Sequence, residues 1–136
     1  MAGPLIDTNV FVRHLTQDHA DYSPKASAFL ARIERGELSA NAAEIGIFEA
    51  VFTLERAYRA SKASIREGLL PLIDMPALLL SGKQRLRRAF ELYVDRNMSF
   101  GDAYHVALME QLGIEEIASF DRDFDRVPGV RRVEPS

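Results

Sequence analysis

Short apolar segments alternate with helical patterns along the whole chain, and this alternation restricts the fold more than any other feature. Strands that are joined through helices pair in parallel, and a parallel sheet needs helices on both faces. The predicted strands are GPLID, ELSAN, ALLLS, EIASF and VRRVE. The predicted helices are TNVFVRHL, SPKASAFLARIERG, AAEIGIFEAVFTLERAYRA, SKASIREGLLPLIDM, GKQRLRRAFELYVDR and SFGDAYHVALMEQLG, with DRDFDRV as a short turn or helix. The sequence therefore predicts an α/β fold with a mostly parallel sheet.

Several helix ends are marked by their residues. Ser23 is predicted as an N-cap with Gly36 at the end of the same helix, and Ser99 and Gly113 bracket another helix in the same way. Pro71 is expected to kink or end its helix. The segment AAEIGIFEAVFTLERAYRA is apolar on nearly every side, which predicts a well-buried helix.

Composition excludes several classes of protein. The 136 residues fit one domain, 1–136, and 47% hydrophobic residues suffice for a core. The absence of cysteine excludes disulfides and thiolate metal sites and fits a reducing cytoplasm. No signal peptide or membrane span is expected. A net charge of −3 argues against a purely electrostatic nucleic-acid binder, unless some acids hold a metal.

Two aspartates are predicted at the carboxyl ends of strands, where α/β proteins bind ligands. Asp7 follows GPLI, and Asp121 follows EIASF. Each has an ordinary alternative, because aspartate also caps helices and begins turns. Asp123 and Asp125 come shortly after Asp121, and at least one of them is expected to be solvated.

Helices supply further candidate carboxylates. Asp102 completes a capping pattern with Ser99, but it also aligns on the helical wheel with an apolar stripe, and an inward carboxylate needs a partner or a metal. His105 lies beside it and either orients it or is an ordinary half-buried histidine. On the long apolar helix, periodicity alone does not choose between Glu44 and Glu49.

Four carboxylates at one sheet edge would repel each other strongly without a cation. Oxygen ligands of this kind suit Mg²⁺ or Mn²⁺. The basic run KQRLRR, with Arg85, Arg87 and Arg88, is either a solvated helix face or a track for phosphates, and Arg13 is a further candidate for that track.

Taken in order, four motifs resemble those of PIN domains. They are LIDTNVFVRHL, FEAVFTLERAY, SFGDAYHVALMEQLG and IASFDRDFDRV, and together they cover nearly the whole chain. The length and the N-terminal start resemble the VapC-type toxins of toxin–antitoxin pairs. Two departures are small: Ser119 stands where threonine is usual, and Gly101 precedes Asp102.

The resemblance implies a three-layer α/β/α sandwich with a central sheet of about four to five strands. It implies a metal-dependent endoribonuclease with one or two Mg²⁺ or Mn²⁺ ions, held by the family acids Asp7, Glu49, Asp102 and Asp121. Thr8, Asn9, Ser119 and Asp125 would support these ligands. RNA is the implied substrate, an antitoxin protein the implied inhibitor, and a homodimer the implied assembly.

Two other functions stay open from the sequence. One is a catalytically inactive PIN-like module that binds RNA or protein, although such a module has no need to hold repelling acids together. The other is a phosphohydrolase of a different α/β type, but DTNVF stands where a D-x-D-x-T signature would be needed.

Overall fold

The computed structural model describes residues 3–136, so Met1 and Ala2 of the predicted domain lie outside the described part. The elements alternate along the chain as the sequence predicts, which confirms the α/β class. The helices are α1 (Thr8–Thr16), α2 (Tyr22–Glu34), α3 (Glu44–Arg56), α4 (Lys62–Ile73), α5 (Lys83–Asp95) and α6 (Phe100–Leu112). The strands are β1 (Ala40–Asn41), β2 (Leu78–Leu79), β3 (Glu116–Ala118) and β4 (Arg131–Val133), with a 3₁₀ helix at Arg122–Arg126.

The described part of the chain divides into two compact units, residues 3–83 and 84–136. In the first unit, β1 pairs with β2 in parallel, and Leu5 forms a parallel bridge with Asn41 on the other edge of β1. The Ile6 amide donates to the Asn41 carbonyl at 2.8 Å, which holds the segment that leads into Asp7. Helix α1 packs against α2 and α3, and α3 packs against α4.

Gly3 shows why a glycine precedes this first paired segment. A Cβ atom at this position would lie 1.8 Å from the carbonyl oxygen of Ser39. The Gly3 carbonyl also accepts a hydrogen bond of 2.9 Å from the Asn41 side chain. The close approach of the two backbones therefore excludes any larger residue without movement of the chain.

The second unit contains the other parallel pair. In this pair Glu116 lies opposite Arg131, Ile117 opposite Arg132, and Ala118 opposite Val133. Its core includes an aromatic cluster in which Phe100 lies 4.7 Å from Phe90 and 5.4 Å from Tyr93 between ring centroids. All three side chains are almost fully buried.

The parallel pairing is confirmed, but the paired segments are shorter than the apolar runs that predicted them. Within residues 3–136, hydrogen bonding divides the named strands into two pairs. The exposure of apolar residues explains part of this short pairing, since Leu5 is 69% exposed and Leu79 is 43% exposed. These side chains do not supply the burial on both faces that extends a parallel sheet.

Two local predictions need correction. Helix α2 begins at Tyr22, so Ser23 lies inside it, buried, with its hydroxyl accepting from the His19 amide instead of capping the helix. Helix α3 is not buried all round, because Ile45 is 64% exposed. Pro71 lies inside α4, and the helix ends two residues after it, at Ile73.

Candidate active site

Asp7 occupies the N-cap position of α1, directly after the segment paired to β1. Its backbone is extended (φ −76°, ψ 150°), as an N-cap requires, but its side chain makes no capping hydrogen bond. The residue is exposed. A cap therefore does not account for the carboxylate, which leaves its oxygens available for a ligand.

Glu49 lies on the exposed side of α3, and its carboxylate is tied to the residue after Asp7. The hydroxyl of Thr8 lies 3.0 Å from Oε1 of Glu49 and 3.4 Å from the Gly46 carbonyl. The shorter contact is the better hydrogen bond. The structure thus links Glu49 to the residue that follows Asp7, a contact that helical periodicity alone did not predict.

Asp102 lies in the first turn of α6, whose N-terminus is capped by Ser99 as predicted: the Ser99 hydroxyl accepts from the Asp102 amide at 3.3 Å. Asp102 is half-buried at the border of the buried face. His105 is exposed, which corrects the expectation of a half-buried histidine on that face. Gly113 ends the helix in a left-handed conformation (φ 70°), as predicted.

Asp121 lies at the start of the 3₁₀ helix that follows β3. Its Oδ1 accepts from the Asp123 amide at 2.9 Å, and its own amide donates to the Ser119 hydroxyl at 3.0 Å. Ser119 therefore performs a supporting role in the loop. Asp121 does begin a turn, as one interpretation of the sequence predicts. The capping hydrogen bond uses only Oδ1 of its two carboxylate oxygens.

Asp102, Asp121 and Asp123 come together in the second unit. Each offers a carboxylate oxygen, and these oxygens lie within 4.8 Å of one another. Asp123 was not among the predicted site residues, although its spacing of two from Asp121 is visible in the sequence. Asp121 precedes the 3₁₀ helix that carries Asp123, and the Asp123 amide donates to Oδ1 of Asp121, so this turn keeps the two acids close together.

Asp125, which the resemblance implies as a supporting residue, forms an ion pair with Arg132. The Arg132 guanidinium donates to its two oxygens at 3.0 and 3.4 Å. The donor set of Asp102, Asp121 and Asp123 fits a hard divalent cation, because all its atoms are carboxylate oxygens and the charges repel each other when no cation is present.

The PIN domain family model matches residues 5–130. The chain belongs to the PIN domain family. A curated relative is the VapC ribonuclease of Aquifex aeolicus, 27% identical over 131 residues, which are 96% of each chain.

A solved structure also resembles this PIN domain. It is the crystal structure of VapC20 from Mycobacterium tuberculosis, described as a sarcin–ricin loop cleaving toxin. The identity is 20%, the TM-score is 0.43, and the match covers 98% of this chain and 100% of that one. Within the described residues, no helix of this PIN domain is long and apolar enough to cross a membrane.

The candidate RNA-binding arginines of this PIN domain have protein partners. Arg85 donates to the Tyr104 hydroxyl at 2.8 Å, and Arg88 donates to Glu110 at 2.9 Å, so both join α5 to α6. The carboxylate of Glu110, followed by that of Glu91, raises the pKa of Arg88. These contacts give the basic run a structural role.

Arg13 lies in the first unit and is engaged in the same manner. Its guanidinium lies 3.3 Å from Asp18, whose other oxygen accepts from the Tyr58 hydroxyl at 2.6 Å. Hydrogen bonds from Tyr58, then Thr16 and Arg13, lower the pKa of Asp18. Arg87 is exposed. Contact of any of these arginines with RNA stays a prediction.

Proposed function

We propose that this PIN domain is a metal-dependent endoribonuclease that hydrolyses phosphodiester bonds in RNA and acts as the toxin of a toxin–antitoxin pair. Membership of the family over residues 5–130 and the VapC ribonuclease relative support the proposal. The single observation that carries it is the convergence of three carboxylates from two different elements within 4.8 Å.

The proposed ligands are the four acids Asp7, Glu49, Asp102 and Asp121, with Mg²⁺ or Mn²⁺ as one or two bound ions. Such ions lower the pKa of coordinated water and neutralise the charge on the leaving oxygen of a phosphodiester. Hydrogen bonds within the chain position three of the proposed ligand residues. Thr8 fixes the Glu49 carboxylate, Ser99 fixes the helical turn of Asp102, and Ser119 fixes the amide of Asp121.

The supporting residues act through these contacts. Thr8 and Ser119 hydrogen-bond to the ligand residues or their backbone, which is how outer groups orient metal ligands. Asn9, exposed in the first full turn of α1, is proposed to help position Asp7 or the substrate. Asp123 joins the proposed ligand set on the strength of its distance from Asp102 and Asp121.

An inactive PIN-like binding module is the alternative, and the clustered acids disfavour it. Three mutually repelling carboxylates cost folding free energy unless a cation uses them. The partners we propose are a single-stranded RNA substrate, an antitoxin protein that covers the acidic site, and a second copy in a homodimer. The proposed location is the cytoplasm, where RNA substrates of such a toxin occur.

The test is RNA cleavage by the purified protein with Mn²⁺ or Mg²⁺. Cleavage is expected with either ion and is expected to stop with EDTA, with Asp7→Asn and with Asp121→Asn. Glu67→Gln, an exposed change on α4, is the matched control and should cleave normally. Cleavage that persists in EDTA would exclude the metal mechanism, and absence of cleavage on every RNA tried would favour the binding module.

A further inference from the structure

Arg132 stands in the middle of β4 and differs sharply from the arginine beside it. Its side chain is 13% exposed, whereas that of Arg131 is 71% exposed and pairs with Glu116 at the surface. A nearly buried guanidinium requires several acceptors, because its desolvation is expensive. The hydrogen bonds of Arg132 show where those acceptors are.

The acceptors lie at both ends of the acidic loop, residues 119–125. Nη1 of Arg132 donates to the Ser119 carbonyl at 3.0 Å, and Nε and Nη2 reach the two oxygens of Asp125 at 3.0 and 3.4 Å. Nη1 also lies 3.5 Å from Glu134. One side chain thus fixes the point where the loop leaves β3 and the point where it turns back.

Between these two points lie two carboxylates of the candidate metal site, those of Asp121 and Asp123. The loop is also braced internally, since Ser119 accepts from the Asp121 amide and Asp121 accepts from the Asp123 amide. These inner bonds set the shape of the loop. The Arg132 contacts connect that shape to β4, which is paired in register with β3.

The loop needs such an anchor because of its charge. Asp121 and Asp123 are held near Asp102, and like charges at this separation push the loop away from α6 in the absence of a cation. A loop that relaxes has to be reordered whenever a cation binds, which weakens binding. The fork of a guanidinium suits this task, because it holds a carboxylate at two points.

We propose that Arg132 is a positioning residue for the candidate metal site, acting through Ser119 and Asp125, and that Asp125 is its partner and not a metal ligand. This inference rests on the proposed function, since it assumes a cation at the acidic cluster. It assigns a role to two residues outside that cluster.

The two possible roles of Asp125 predict opposite results for Arg132. If Asp125 is the anchor's partner, removal of either side chain loosens the loop. If Asp125 binds the metal, removal of Arg132 releases a carboxylate toward the cation and leaves affinity unchanged or higher. The sign of the Arg132 effect therefore separates the roles.

The experiment measures Mn²⁺ affinity by titration calorimetry and electron paramagnetic resonance, without RNA. Arg132→Met and Asp125→Asn are each expected to weaken binding about 10- to 100-fold. The double variant should be no weaker than the weaker single one, because both changes break the same contact. Arg131→Met is the matched control, and loss of its surface pair should leave affinity unchanged. Wild-type or tighter binding by Arg132→Met would overturn the proposal.

A second measurement uses the metal-free protein. Amide hydrogen exchange at Asp121 and Asp123 should be faster in both variants, while exchange in the buried middle of α6, at Ala107, stays the same. Arg132→Lys, which keeps the charge but loses the forked guanidinium, should also show faster exchange. It serves as the second variant if the methionine variant misfolds. Unchanged loop exchange would contradict the anchor. If the wild type binds no Mn²⁺, the proposed function fails, whereas the exchange result still decides the anchor.

Discussion

The hydroxyl of Thr8 lies 3.0 Å from the carboxylate of Glu49, although the two residues are 41 positions apart in the chain. Thr8 begins α1 immediately after Asp7, and Glu49 lies on an exposed side of α3. The contact ties the carboxylate of Glu49 to the residue that follows Asp7.

We expect Thr8→Val to lower RNA cleavage about 10- to 100-fold, because outer hydrogen bonds of this kind orient metal ligands. Thr8→Ser keeps a hydroxyl and should retain most of the activity. The measurement is the initial rate of cleavage at saturating Mn²⁺. Equal rates for the valine and serine variants would show that the hydrogen bond does not orient Glu49.

Stability separates this effect from misfolding. Loss of one partly exposed hydrogen bond should change the free energy of unfolding by about 1 kcal/mol. In urea unfolding, the free energies of Thr8→Val and Thr8→Ser should therefore differ by no more than about 1 kcal/mol. A large difference between them would indicate a packing role for the methyl and hydroxyl groups instead.

Addition of Mn²⁺ should raise the melting temperature of the wild-type protein. A ligand that binds only the folded state stabilises it by about 2.7 kcal/mol at 100 times its dissociation constant. Asp121→Asn should lose this shift, because it removes a carboxylate from the cluster within 4.8 Å of Asp102 and Asp123. Asparagine keeps the side-chain oxygen that accepts from the Asp123 amide and removes one of the repelling charges, so the metal-free melting temperature should not fall.

Two serine caps offer a matched pair. Ser99 accepts from the Asp102 amide at 3.3 Å, and Ser61 accepts from the Ser64 amide at 3.1 Å at the start of α4. Replacement of either by alanine should cost about 1 kcal/mol of stability. Only Ser99→Ala should also weaken Mn²⁺ binding, because only that helical turn carries a candidate ligand. Equal Mn²⁺ affinities in the two variants would count against Asp102 as a ligand.

His14 should make stability depend on pH. Burial lowers its pKa, an effect partly opposed by Glu34, and its Nδ1 lies 2.7 Å from the Ser27 hydroxyl. As pH falls through about 6.5, the unfolded chain takes up a proton that the folded protein resists, so stability decreases. Urea unfolding should therefore show a smaller loss between pH 7.5 and 5.5 for His14→Asn than for the wild type. The same loss in both proteins would rule out this histidine as the cause.

Much of the secondary structure was predictable because its signals are local. Ser99 and Gly113 bound α6, and the alternation of elements gave the parallel pairing. The prediction for Ser23 was wrong, although a serine before a proline is typical of an N-cap. In the structure the helix begins one residue earlier, at Tyr22, and the Ser23 hydroxyl accepts from the His19 amide. The exposure of Ile45 could not be predicted either, because an apolar residue type does not show which face of a helix other elements cover.

The sequence by itself determined the fold class, the family resemblance and the four candidate acids, because these depend on residue types and their order. The tertiary structure decided which side chains meet. It brought Asp123 to Asp102 and Asp121, turned Asp125 toward Arg132, and linked Thr8 to Glu49. Such contacts depend on turns and on distances across the fold, where a shift of one residue moves a side chain to the opposite face.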